Sequence, residues 1–136
     1  MSTKTFINLP TKNLEKATAF YEAIGFTKNP QFSDENASGF AFDENIHVMI
    51  LTEGFFKWFL THKQIADSTK TCEVMNSLQM PDRGAVDIFL SKALSAWANE
   101  FKPAYDHGFM YGRDFEDLDG HIWEIFRMDV SQMPKK

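Results

Sequence analysis

Apolar and polar positions alternate in two different periods along the first fifty residues. Residues 6–9, Phe-Ile-Asn-Leu, read as a short strand that Pro10 stops. Asn13 is placed to cap a helix, because its side chain can accept one of the N–H groups left free in a first turn. Leu14, Ala17, Tyr21 and Ile24 then recur at helical spacing, and Gly25 closes the segment. After it, residues 26–32, 39–42 and 46–51 read as strands, separated by the polar turns 34–36 and 43–45.

The same order returns in the second half. Residues 86–90 read as a strand; Leu94, Trp97, Ala98 and Phe101 form a helical stripe that Ser91 can cap and Pro103 stops. Residues 109–115 and 121–126 read as strands joined by the turn 116–120. Placing Leu14 on Leu94 superposes the two patterns, so the chain reads as two copies of one βαβββ unit. The expected organisation is a single domain with module one at 1–52, a linker at 53–83, module two at 84–128 and a polar tail at 129–136. Within the linker, residues 53–60 suggest a short aromatic helix, because an unstructured connection of that length is unusual in a compact domain. Its Phe55, Phe56, Trp58 and Phe59 fit a helix packed on the edge of its own sheet, a partner or dimer surface if exposed, or a lid over a cavity.

Composition narrows the function. The chain has 136 residues with 14 basic and 19 acidic side chains, a net charge of −5, which argues against a nucleic-acid partner. No run is long and apolar enough for a membrane span, and the polar start lacks a signal-peptide core, so no membrane partner and a cytoplasmic location are expected. The single cysteine, Cys72, stands in a polar stretch with no activating neighbour. Fourteen Phe, three Trp and three Tyr make 15% of the chain aromatic. Large flat side chains stand where aliphatic ones usually serve.

Two stretches carry a resemblance. Residues 13–26, Asn-Leu-Glu-Lys-Ala-Thr-Ala-Phe-Tyr-Glu-Ala-Ile-Gly-Phe, resemble the D-L-x-x-S-x-x-F-Y-x-x-L-G-F opening of the vicinal oxygen chelate superfamily. Residues 115–125, Phe-Glu-Asp-Leu-Asp-Gly-His-Ile-Trp-Glu-Ile, resemble its closing F-x-D-P-D-G-H-x-x-E-L strand. Asn13, Ala17 and Leu118 depart from the usual Asp, Ser and Pro. This is the superfamily of glyoxalase I, bleomycin resistance proteins, fosfomycin-modifying enzymes and extradiol dioxygenases. The resemblance implies an α+β fold in which two βαβββ modules form an eight-stranded, incompletely closed barrel with the helices outside and a ligand cavity on the concave side. It also implies a homodimer.

In metal-using members, four cavity positions on the first and last strands of the modules supply His, Glu or Gln ligands. Carried over through the Leu14 to Leu94 placement, those positions fall on Phe6, Met49, Val86 and Glu124. Only Glu124 binds a hard cation well, and one carboxylate does not hold a divalent ion against water. No resident metal or other cofactor is therefore expected. By strand alternation, Asn8 shares the face of Phe6 and His47 that of Met49, so Asn8, His47 and Glu124 can form a displaced polar cluster. A hydrogen-bonding role for Asn8 and His47 outweighs ligation, since Asn is a weak ligand. His121, three residues before Glu124, turns to the opposite face and fits a structural role in the turn. His62 and His107 fall in linker and loop.

The expected function is a small-molecule-binding protein with an aromatic-lined cavity formed by Phe6, Met49, Val86 and Ile88, in which Asn8, His47 and Glu124 orient the ligand. If there is catalysis, Glu124 is the general base, with Arg113 among its candidate partners. The alternative is a metal-dependent lyase, isomerase or dioxygenase of the glyoxalase type that uses Glu124 with a displaced ligand set.

Overall fold

The computed structural model describes residues 2–135. Strands β1 (Thr5–Thr11), β2 (Thr27–Asn29), β3 (Ala37–Ala41), β4 (Ile46–Thr52), β5 (Met75–Gln79), β6 (Tyr105–Asp106), β7 (Met110–Glu116) and β8 (Ile122–Met128) accompany helices α1 (Leu14–Ala23), α2 (Glu53–Leu60) and α3 (Arg83–Ser95). The strands form two four-stranded sheets, ordered β1-β4-β3-β2 and β5-β8-β7-β6. Each sheet repeats one plan: a first strand parallel to the last, and the middle strands antiparallel. The chain is an α+β protein of two modules, and it divides into compact units at 1–71 and 72–136.

In the first unit, Asn13 caps α1 as expected, accepting from the Lys16 N–H at 3.0 Å, and Gly25 takes φ +107° beyond the helix end. β1 runs through Pro10 instead of stopping there. It is an edge strand paired only with β4, and a proline at an edge costs the ladder little. Ala17, Phe20, Tyr21 and Ile24 bury one face of α1 against Phe40, Val48 and Ile50. Rings dominate this core: Tyr21 lies edge-on to Phe26 at 5.4 Å and tilted against Phe40 at 5.8 Å. Much of the aromatic excess is spent here. Residues 53–60 are the expected helix, with Phe55, Phe56 and Leu60 half-buried and Trp58 73% exposed.

The second unit corrects the sequence reading. Residues 86–90 are not a strand but the first half of α3, which Asp82 caps by accepting from the Ala85 N–H at 2.8 Å. Val86, Phe89, Leu90 and Ala93 recur at i, i+3, i+4 and i+7, and all are buried on the sheet. The stripe assigned to Leu94, Trp97, Ala98 and Phe101 is not helical beyond Ser95: Trp97 adopts φ +80° and ends the helix, and Asn99 bridges to Glu116. The first strand of the unit is β5, inside the span taken as linker. Trp123, Ile125, Phe115 and Leu78 face α3, and Phe89 stacks on Phe115 at 6.1 Å between centroids.

These corrections change which residues are equivalent. The two helix caps, Asn13 and Asp82, correspond, so Asn8 corresponds to Ser77 and not to any residue of α3. The registers agree, because Asn8 lies opposite Met49 and Ser77 opposite Glu124. Val86 is fully buried on α3 and Ile88 is exposed on the same helix, so neither lies on a strand. Among the described residues, no helix is long and apolar enough to cross a membrane.

Candidate functional site

On the second sheet, the face away from α3 carries a polar row. Cross-strand partners point to the same side of a sheet, so Ser77 on β5, Glu124 on β8 and Asp114 on β7 stand side by side. The Ser77 hydroxyl donates to Glu124 Oε1 at 2.8 Å. The Tyr105 hydroxyl donates to Glu124 Oε2. Both carboxylate oxygens thus hold a hydroxyl donor.

Tyr105 reaches Glu124 because of a glycine. It pairs with Gly112 on β7, and a Cβ at 112 would fall within the Tyr105 ring and hydroxyl. With no side chain there, the ring lies flat across β7 and its hydroxyl arrives at the next row. Burial, and then the bond to Glu124, hold the Tyr105 hydroxyl in its protonated form by raising its pKa above the usual phenol value.

Asp114 is 2% exposed. Lys102 reaches its Oδ2 at 3.2 Å and also lies over the Tyr105 ring, 5.0 Å from the centroid. Tyr105 has one hydroxyl proton, given to Glu124, and Asp114 Oδ1 is buried without a hydrogen-bond partner. Burial raises the Asp114 pKa, and Lys102 opposes that rise.

The segment that carries Lys102 and Tyr105 is tied down on both sides. Arg113 binds Glu100 through two bonds, at 2.8 and 2.9 Å, and reaches Asp87 on α3 at 3.1 Å. Arg83 forks onto Asp106 at 2.5 and 2.9 Å and lies over the Tyr111 ring. Exposed ion pairs are individually worth about 0–1 kcal/mol, but forked, linked ones fix geometry. Arg113 therefore serves the loop and not Glu124, contrary to its expected candidacy.

The first unit supplies a different surface. Phe6 stacks on His47, centroids 4.5 Å apart and 12° between planes, and Phe32 meets Phe6 edge-on at 6.3 Å. His47 Nε2 lies 3.2 Å from the Glu44 carbonyl oxygen. Met49 shares this face, across from Asn8 and Gly39, and Phe32 fills the space a side chain at 39 would need. The structure thus gathers Phe6, Asn8, His47 and Met49 on one face, and gives Glu124 the partners Ser77 and Tyr105 within its own unit. Sequence reasoning missed Ser77, Asp114, Tyr105 and Lys102. The alternation of Gly112, Asp114 and Glu116 along β7 was the available signal for Asp114.

At the β7–β8 turn, Asp117, Asp119 and His121 bring donor atoms within 4.8 Å of one another, a group that could hold a cation. Asp117 Oδ1 already accepts the Asp119 and His121 N–H groups at 2.9 Å each, and Gly120 takes φ +91°. These bonds from backbone N–H groups to Asp117 close the β7–β8 turn.

Two modules of this topology, each a four-stranded sheet backed by a helix, are a fold shared with solved structures. Solved structures with the same fold include a glyoxalase/bleomycin resistance protein/dioxygenase family enzyme from Burkholderia phytofirmans PsJN, with 14% identity, 94% of this chain and 100% of that one covered, and a TM-score of 0.79. A hypothetical protein from S. aureus gives 26% identity, 93% and 94% coverage and a TM-score of 0.77. The fosfomycin resistance protein FosX from Mesorhizobium loti gives 13%, 97% and 97%, and 0.69. No protein-family model and no curated protein matches the sequence. The likeness is one of fold, and one fold hosts many activities, so function is argued from this chain's own side chains.

Proposed function

We propose that this protein binds a small planar or amphipathic molecule and does so without a metal at Glu124. The observation that carries this reading is the pairing of Glu124 with two hydroxyl donors. Each oxygen of this carboxylate already accepts from a hydroxyl, which partly compensates its charge and weakens its pull on a cation. The positions equivalent to Glu124 and its neighbour offer little help: Asn8 is a weak amide ligand, Met49 a soft thioether and Ser77 a neutral hydroxyl. That donor set does not fit a hard or borderline divalent ion. The displaced set of Asn8, His47 and Glu124 is no better supported, since His47 stacks on Phe6 and lies beside the Glu44 carbonyl. The donors around Glu124 therefore do not favour a metal-dependent lyase or dioxygenase centred there.

Within the second unit, Ser77, Glu124 and Tyr105 offer a ligand hydrogen-bonding groups of fixed orientation beside the Tyr105 ring. Titration of planar aromatic and amphipathic compounds into EDTA-treated protein, read by tryptophan fluorescence, tests the proposal. Binding is expected to survive EDTA and to weaken about ten- to a hundredfold in Glu124→Gln, as losing a charged hydrogen bond of about 1.5–3 kcal/mol implies. Binding that EDTA abolishes, or that Glu124→Gln leaves unchanged, overturns it.

A further inference from the structure

Lys102 places an ammonium group against a carboxylate and an aromatic ring at once. Its Nζ is 3.2 Å from Asp114 Oδ2 and 5.0 Å from the Tyr105 centroid, yet its side chain remains 48% exposed on a segment without regular secondary structure. Asp114, by contrast, is almost wholly buried and keeps a second oxygen, Oδ1, with no donor. An unpaired buried carboxylate oxygen is costly, and Lys102 satisfies only its neighbour. The Tyr105 hydroxyl lies near both carboxylates and has one proton to give, which the bond to Glu124 uses.

We propose that Asp114 and the Tyr105 ring form a cradle for the ammonium group of an amine-bearing small molecule, and that Lys102 holds this cradle until the ligand arrives. The inference rests on the small-molecule reading above and adds the chemical class of the ligand. A primary ammonium brings three donors, and Asp114, Glu124 and Ser77 stand in one cross-strand row of acceptors. Charge balance favours the exchange, since one cation leaves Asp114 as another enters. The Tyr105 ring gives the incoming cation the same π face that Lys102 uses. A neutral ligand of the same shape gains neither term.

The test compares benzylamine, a cation at neutral pH, with benzyl alcohol, its neutral counterpart, by NMR titration of the intact protein. In the wild type, the Lys102 Cε resonance is expected to move with benzylamine and stay still with benzyl alcohol. In Lys102→Ala, benzylamine is expected to bind about tenfold more tightly than in the wild type, because no internal cation competes, and benzyl alcohol about equally. Asp114→Asn is expected to abolish the preference for the amine. The cradle is overturned if benzylamine binds wild type and Lys102→Ala alike, if neither probe perturbs Asp114 and Tyr105, or if amine and alcohol bind equally. Equal binding of both probes would leave the small-molecule reading standing, and binding lost only with EDTA would remove that reading instead. The Lys102 measurements do not depend on the folding of Asp114→Asn.

Discussion

Gly112→Ala is expected to expel Tyr105 from the polar row. The added Cβ falls within the Tyr105 ring and hydroxyl, and a methyl group on β7 cannot yield without breaking the ladder to β8. The side chain must therefore leave, and Glu124 loses one of its two donors. Overpacking and the lost charged hydrogen bond together place the cost at about 1–3 kcal/mol, read from urea denaturation. Tyrosine ionisation gives the more specific readout. Burial and Glu124 keep the Tyr105 proton on well above the usual phenol pKa in the wild type, so its ionisation should shift to lower pH in the variant. Tyr105→Phe should cost much less in the Gly112→Ala background than alone, because both changes remove the same contact. Full additivity of the two would show that the ring does not need the glycine.

Trp123→Ala is expected to have the largest effect on stability. Trp123 is fully buried among the residues that face α3, one position from Glu124 but on the other side of the sheet. Removing a buried Trp costs about 3–5 kcal/mol, a large part of the ~5–15 kcal/mol that holds a domain together. The denaturation midpoint should fall accordingly, and a loss below about 1 kcal/mol would mean that α3 does not pack as described. Because strand neighbours face opposite sides, Trp123 and Glu124 separate stability from binding within two residues.

Much of the fold was legible because its local chemistry is strong. Asn13, the Leu14 to Ile24 stripe and Gly25 announce α1, and the turn at 116–120 announces the β7–β8 hairpin with Asp117 holding it closed. The second module misled where local preference and tertiary role diverge. β5 reads Met-Asn-Ser-Leu-Gln, with none of the β-branched or aromatic residues enriched in strands, and only Asn76 and Leu78 are buried. Its strand character comes from pairing with β8, which local sequence does not show. Residues 86–90 hold three β-branched or aromatic side chains, yet the i, i+3, i+4, i+7 burial of Val86, Phe89, Leu90 and Ala93 is helical.

The candidate site followed the same division. Glu124 stands out in the sequence because its motif and strand period are local. Its partners come from three other segments, Ser77 on the unrecognised strand, Tyr105 on a two-residue strand and Asp114 across the hairpin. With α3 misplaced, Val86 stood where Ser77 belongs, and the polar row could not be assembled. With Ser77 in the place given to Val86, the row gains a hydroxyl donor to Glu124 that the sequence reading did not have.

The most direct measurement is paramagnetic broadening by Mn²⁺ at micromolar concentration, comparing wild type with Glu124→Gln and Tyr105→Phe. If hydroxyl donors compensate Glu124, the resonances of Ser77, Glu124 and Tyr105 stay sharp in the wild type, and any broadening centred on Asp117 and His121 persists in Glu124→Gln. Broadening centred on Glu124 in the wild type and abolished in Glu124→Gln would show a metal site there and contradict the proposed metal-free binding.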